Sequence, residues 1–322
     1  MAYREAQTAV NHDVTLAGRT ARTPAARVVL GAHERVHRRP FDDAPPAGVY
    51  FGAVPITTPI IDVWTQWLSP TPPGKSPAGE NVFRNYGMLD EFHNGTNLER
   101  MIERMDAAGV KVALMAGDNA AVATAMEKYP GRIYGQYHAE PTHDVMTRVR
   151  ELDHYVRQCG FVCLRIEPFM WREVPTFRLY YPLYAKACEL DVTFQTQVGD
   201  TGPLFPSRTG QPMYIDEVAL DFPDLRIMCG HVGMPWTEEM LGVAFKHKNV
   251  WIDTSARVPK HWPDAFVKFL RTWGREKVCF ATDYPLLQWD RVLKEVDGLG
   301  LPEEVQRKFL HDNAVTAFKL KV

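Results

Sequence analysis

Residues Thr96–Ala116, TNLERMIERMDAAGVKVALMA, hold the unit whose reading decides the fold. Apolar residues recur at helical spacing up to Ala108, the Thr96-x-x-Glu99 opening has the form of a capping box, and Gly109 is a stop signal. The run Val110–Ala116 that follows is short, apolar and rich in strand-forming residues. Helix, glycine, buried strand is the grammar of a βα repeat. Similar strand-like runs occur at Ile60–Leu68, Ile133–His138, Val162–Glu167, Val192–Val198, Arg226–Val232, Val250–Ser255 and Val278–Tyr284. Helix-period stretches separate them near Ala120–Lys128, Val145–Gln158, Tyr181–Leu190, Thr237–Lys248, Pro263–Trp273 and Arg291–Glu295, with a last helix at Pro302–Phe318. Eight apolar strands alternating with helices predict an α/β protein with a parallel sheet closed into a (β/α)8 TIM barrel. Residues 59–322 suffice for one such barrel, which takes about 250 residues.

The 322-residue chain is 45% hydrophobic and 24% charged, with a formal net charge of −2. That composition excludes a disordered or fibrous protein, and no global field draws the chain onto nucleic acid. No run approaches the roughly 18 apolar residues of a membrane span, and no apolar signal core opens the chain. Cys159, Cys163, Cys188, Cys229 and Cys279 form no CxxC pair and lie mostly in apolar runs. Reduced thiols and a cytoplasmic enzyme are expected. Residues 1–58 read as an N-terminal arm. Its first 40 residues carry seven arginines, no lysine and only Glu5, Asp13 and Glu34 as acids. The arm is either a surface extension or a segment that packs on a second subunit; its acids argue against an organellar leader.

Chemistry in such barrels sits at the C-terminal ends of the strands. That rule selects Trp64 and Gln66, His138 and Glu140, Arg165 and Glu167, Gln195 and Gln197, His231, Asp253 and Ser255, and Asp283. Residues two apart on a strand share a face, so Trp64 with Gln66, Arg165 with Glu167 and Gln195 with Gln197 are read as pairs. Polar groups ending apolar strands need partners or water, so a ring of them marks a candidate site.

The segments Ile61–Gln66 (IDVWTQ), Gln197–Pro203 (QVGDTGP), Gly230–Trp236 (GHVGMPW), Asn249–Ala256 (NVWIDTSA) and Ala281–Pro285 (ATDYP) resemble the amidohydrolase superfamily. The resemblance is to its amidohydrolase-2 branch, which includes aminocarboxymuconate-semialdehyde decarboxylase, γ-resorcylate-type decarboxylases and true hydrolases. It implies a small-molecule substrate and often a homodimer. In that branch the first strand ends D-x-H-x-H, and both histidines bind a metal. Here Asp62 remains, but Trp64 and Gln66 take the histidine positions, and Gln197 stands where a third histidine ligand is expected. Asp283 alone persists among the four usual ligands, with His231 as the family's acid/base group.

Neutral amides are poor ligands for zinc-like ions, and indole nitrogen is only a donor. The expected reading is an enzyme without a cofactor that uses His231, with Asp283, for acid/base work on a small cyclic or aromatic carboxylic acid. Decarboxylation, hydrolysis and a related lyase, isomerase or cyclisation step all stay open. Trp64, Gln66, His138, Arg165, Glu167, Gln195 and Gln197 are the expected substrate contacts. Arg165 either grips a carboxylate or forms a buried ion pair with Glu167. Trp64 is either an apolar face for substrate or a plug, and Asp283 is either catalytic or a helix cap. Two alternatives remain: a divalent-metal enzyme, zinc for example, with a site rebuilt from Glu167, His138 or Asp200, or a silent ligand- or partner-binding homologue.

The Pro- and Gly-rich stretch Ser69–Asn94 after strand one is read as a lid-like loop, with Phe83, Arg84, Tyr86 and Met88 to lay over a ligand, and Thr201–Met213 as a second loop opposite it. The eleven histidines do not cluster as a metal set: His12, His33 and His37 fall in the arm, His93, His143, His154, His247, His261 and His311 away from strand ends. Only His138 and His231 reach the expected mouth.

Overall fold

The computed structural model describes residues 56–322, so the expectations for the arm lie outside the described residues, apart from Ile56–Thr58. Eight parallel strands follow one another around a barrel: β1 Ile60–Gln66, β2 Val110–Ala116, β3 Ile133–His138, β4 Cys163–Ile166, β5 Thr193–Gln197, β6 Ile227–Gly230, β7 Val250–Asp253 and β8 Val278–Cys279. β1 also bonds to the segment after β8: Val63 N donates to Phe280 O, Asp283 N to Trp64 O, and Gln66 N to Tyr284 O (3.1, 2.9 and 2.8 Å). Asp62 clasps the same seam. Its Oδ2 accepts from Thr282 Oγ1 (2.5 Å) and Trp289 Nε1 (2.7 Å), and its Oδ1 from Trp64 N (3.0 Å).

The expected strand at Val278–Tyr284 pairs regularly only over its first two residues. Phe280 N is drawn away to Phe309 O (3.0 Å), and Asp283 adopts a left-handed φ of 66°. The same bond explains a second difference. The expected helix Pro302–Phe318 is interrupted by a π turn at Lys308–Asp312, where Phe309 turns its carbonyl to the strand.

The helices cover the outside of the sheet. One apolar layer joins them to it, with Met101, Leu183, Ile215, Val243, Phe266 and Val292 all buried. A smaller cluster fills the barrel, where Ile61, Val63, Val112, Leu114, Met228 and Cys279 meet. The C-terminal helix Asn313–Phe318 plugs the N-terminal end of the barrel, with Ala317 O accepting from Thr193 Oγ1 (2.6 Å). Cys163, Cys229 and Cys279 are buried thiols inside this packing, and all five cysteines are unpaired. No described helix is long and apolar enough to cross a membrane.

The predicted lid is structured rather than a loop. It carries helices Pro77–Asn85 and Leu89–Asn94, the first begun by a proline whose missing N–H costs nothing there. Val82, Phe83 and Phe92 pack with Leu68 and Leu286 into a separate apolar cluster, so this cap has its own small core. The capping box also differs. Asn97, not Thr96, caps Leu98–Ala108, its Oδ1 accepting from Arg100 N (2.8 Å). Thr96 Oγ1 is instead taken by Leu68 N (2.8 Å), and Glu99 pairs with Lys128.

Candidate active site

A cavity of about 480 Å³ opens at the C-terminal ends of the strands, between the barrel and the cap. Trp64 and Gln66 from β1, His138 at the end of β3, Arg165 and Glu167 at β4, Gln197 at β5, His231 after β6 and Asp283 after β8 all line it. The cap contributes Val82, Phe83 and Tyr86, and Phe169, Met170 and Phe205 close another side. One wall is therefore aromatic and aliphatic, and the other carries charge.

Gln195 is a correction. It lies one pleat deeper than Gln197, fully buried, and bonds inside the barrel rather than facing the cavity. Two residues along a strand share a face, but they differ by about 6–7 Å in depth, and only the outer one reaches the mouth.

Trp64 is the floor plug rather than an open apolar face. It is 1% exposed, with the Arg165 guanidinium carbon 3.6 Å from its ring centroid and the His231 ring at 4.8 Å. Gly230 makes room for it: a Cβ there would come within 2.7 Å of Trp64 Cζ3. The glycine before His231 is thus the packing partner of the residue at the first-strand histidine position.

Arg165 is both a buried ion pair and a cavity wall. Its Nε donates to Glu167 Oε1 (2.7 Å), and its Nη1 donates to Thr65 O and Gln136 Oε1 (both 3.2 Å). Glu167 Oε2 lies 2.5 Å from His138 Nε2. Burial opposes ionisation of Glu167, but His138 and Arg165 outweigh it and hold the carboxyl well below the usual range. Burial likewise disfavours a charged His138, yet the Glu167 carboxylate leaves its pKa raised.

His231 does not pair with Asp283, as the sequence suggested it would if the two were near. Its Nδ1 is 2.7 Å from Ser255 Oγ, which in turn donates to Asp253 Oδ1. Burial, reinforced by Arg257 and Arg165, pushes the imidazole down to about 3, so it is neutral near pH 7. Nor does Asp283 cap a helix, since the next one begins only at Trp289. Its Oδ1 accepts from Gln66 Nε2, and burial raises it to about 7 against the opposing pull of Arg165 and Gln66. The same cavity is therefore lined by a neutral imidazole and by a carboxyl that titrates around neutrality. His231 and Asp283 both carry left-handed φ angles (71° and 66°), conformations that cost free energy for non-glycine residues and concentrate at functional sites.

This donor set does not suit a divalent ion. Among the described residues no three His, Cys, Asp or Glu side chains converge to hold one. Gln197 is fixed by its Nε2, which donates to Gly199 O and Asp200 O (2.9 and 2.7 Å), and the Oε1 left without a partner is a neutral amide oxygen, a poor ligand for zinc-like ions. Gln66 turns its Nε2 to Asp283, and a fixed guanidinium lies over Trp64. The groups considered for a rebuilt site are engaged elsewhere: Glu167 and His138 with each other, and Asp200 with Arg257.

Arg257 lines the cavity and was not singled out from sequence, whereas Tyr86, expected as a lid side chain over a ligand, lines it as well. Arg257 stands two residues beyond Ser255, so a shortlist extended past the end of β7 would have reached it. Tyr86 donates from its hydroxyl to Ala256 O (3.1 Å) and ties the cap to the β7 loop.

Comparison with known proteins agrees with this architecture. The amidohydrolase family profile (Amidohydro_2) matches residues 61–320. A γ-resorcylate decarboxylase of Rhodococcus jostii (strain RHA1) is 23% identical over 297 residues, covering 72% of this chain and 86% of that protein. Among solved structures, an uncharacterised TIM-barrel protein from Bordetella bronchiseptica superposes with a TM-score of 0.67 at 23% identity, over 81% of this chain and 98% of its own. A 5-carboxyvanillate decarboxylase from Novosphingobium aromaticivorans, complexed with manganese and 4-hydroxy-3-methoxy-5-nitrobenzoic acid, gives 0.64 at 18% identity, over 82% and 97%. With the family profile spanning the whole barrel, and the eight-stranded fold and strand-end cavity it calls for, the chain belongs to the amidohydrolase superfamily, in its amidohydrolase-2 branch.

Proposed function

We propose that this enzyme decarboxylates a small aromatic carboxylic acid by acid/base catalysis without a metal ion. One observation carries the reading. A single cavity at the strand ends gathers a carboxyl that titrates near pH 7 (Asp283), a neutral imidazole (His231) and a buried guanidinium (Arg165) against an aromatic wall. The relatives named for decarboxylation of hydroxylated benzoic acids support the substrate class.

The step is simple to balance. Asp283, protonated, delivers its proton to the ring carbon that bears the carboxylate. The carbon–carboxylate bond then breaks, its electron pair returns to the ring, and carbon dioxide leaves. Asp283 remains as the carboxylate and regains a proton from solvent. A ring hydroxyl next to that carbon makes it more basic, and His231 Nε2 is the group to accept a hydrogen bond from such a hydroxyl. Charge that develops on the oxygen is stabilised by the fixed Arg165 guanidinium. Phe83, Phe169 and Phe205 exclude water and hold the ring. A carboxyl with its pKa near the working pH is the best compromise between being protonated and giving the proton up.

The test is a panel of mono- and dihydroxybenzoates incubated with the untagged protein, with carbon dioxide release followed directly. Turnover of at least one member is expected, falling by about 100-fold or more in His231→Asn and Asp283→Asn. Full activity in either variant removes that residue from the mechanism. Release of an alcohol or amine from an ester, lactone or amide, with no carbon dioxide from any acid, would make the enzyme a hydrolase.

A further inference from the structure

Beneath the cavity floor, side chains from several strands bond to one another across the barrel. Arg165 on β4 donates to Gln136 on β3, and Gln136 Nε2 donates to Gln195 Oε1 on β5. Gln195 Nε2 donates to Asp253 Oδ2 on β7 (2.9 Å). Asp253 Oδ1 accepts from both the backbone N (3.0 Å) and the hydroxyl of Ser255, and Ser255 Oγ meets His231 Nδ1. Gln136, Gln195, Asp253 and Ser255 are each 0% exposed. Barrel interiors are ordinarily filled by Val, Ile and Leu, and buried polar groups are costly unless satisfied. A continuous polar belt in that place calls for a reason beyond packing.

The belt has one direction. Gln136 and Gln195 each also donate from Nε2 to Val63 O (3.0 Å in both), a backbone carbonyl that only accepts, so neither amide can flip. Gln195 therefore presents a donor to Asp253, which accepts on both oxygens. Ser255 has one proton, and it goes to Asp253. Its oxygen can then only accept from His231, which places the imidazole proton on Nδ1 and leaves Nε2 bare. The order is carboxylate, hydroxyl, imidazole. Ser255 stands between the other two and does not line the cavity, so it is no nucleophile.

We infer that Gln195, Asp253 and Ser255 are positioning residues that hold His231 as its Nδ1–H tautomer, with Nε2 free to accept a hydrogen bond from the substrate. The consequence for turnover rests on the role given to His231 above; the tautomer does not.

The experiment uses full-length protein labelled with 15N-histidine, in which protonated and bare ring nitrogens have well-separated shifts. His231 is assigned by the signals that vanish in His231→Asn. The expected result is an Nδ1–H ring in the wild type and loss of that preference in Ser255→Ala. Its kcat should fall by about 10- to 100-fold, with KM changed less than about twofold. Ser255→Cys, a weaker acceptor of similar size, should lie between, and circular dichroism melts check that each variant is folded. An Nε2–H ring in the wild type, or an unchanged tautomer in folded Ser255→Ala, overturns the inference. A changed tautomer with unchanged kcat leaves the positioning intact and instead removes His231 from the chemistry.

Discussion

Replacing Asp283 by Asn should abolish turnover and at the same time stabilise the fold at alkaline pH. The side chain is 4% exposed, and burial raises its carboxyl from the ordinary 3.8 to about 7. A raised carboxyl pKa means that the folded state favours the protonated form. As pH rises above about 4, the unfolded chain ionises freely while the folded chain resists, so stability falls with pH until the folded pKa is passed near 7. Each pKa unit corresponds to about 1.36 kcal/mol, so the full displacement costs about 4 kcal/mol above neutrality. Asparagine has no charge to bury and keeps an oxygen to accept from Gln66. The stability advantage of Asp283→Asn should therefore grow by about 3 kcal/mol between pH 5 and pH 8. In a domain of this size that is a Tm difference on the order of 5–10 °C. Thermal melts of both proteins at the two pH values provide the assay. A Tm offset that is the same at pH 5 and pH 8, or a variant less stable at pH 8, would refute the claim that this carboxyl is buried at the cost of its charge.

Gly230→Ala should destabilise the fold by about 1–3 kcal/mol, because the added methyl meets the immobile Trp64 ring; a smaller effect in the Trp64→Phe background would confirm the partner, and melts in both backgrounds read it. Tyr86→Phe removes the bond from the cap to Ala256 O, and steady-state kinetics should show KM raised several-fold with kcat nearly constant. Glu167→Gln leaves Arg165 buried without its counter-charge and should cost about 3–5 kcal/mol in urea denaturation. The same variant should lower the pKa of His138, readable by NMR titration, because Glu167 is what raises it.

The barrel was legible because each strand announces itself as an apolar run closed by a glycine or polar end, and all eight stand where those runs lie. The mouth was legible for the same reason: strand ends fix which side chains converge. What sequence could not convey was depth and partner choice. Gln195 and Gln197 look equivalent in one dimension, yet one bonds under the floor and the other lines the cavity. His231 has Asp283 as its obvious partner by motif, but the register of β6 against β7 brings Ser255 to its ring instead. The cap helices hid behind Pro77, Gly79 and Gly87, and what gathers them is the contact of Phe92 and Phe83 with Leu286, far along the chain. Thr96 looked like a cap because the pattern does not reveal that Leu68 N already claims its hydroxyl.

The central claim is that a guanidinium, an imidazole and a protonated carboxyl do the work in a site whose donors do not suit a metal. The most direct test is decarboxylation of a hydroxybenzoate substrate by untagged enzyme whose metal content is measured by mass spectrometry, before and after EDTA treatment and with added manganese. The same kcat is expected in all three conditions, with no stoichiometric metal. Bound metal whose removal abolishes turnover, and whose return restores it, would instead make this a metal-dependent enzyme.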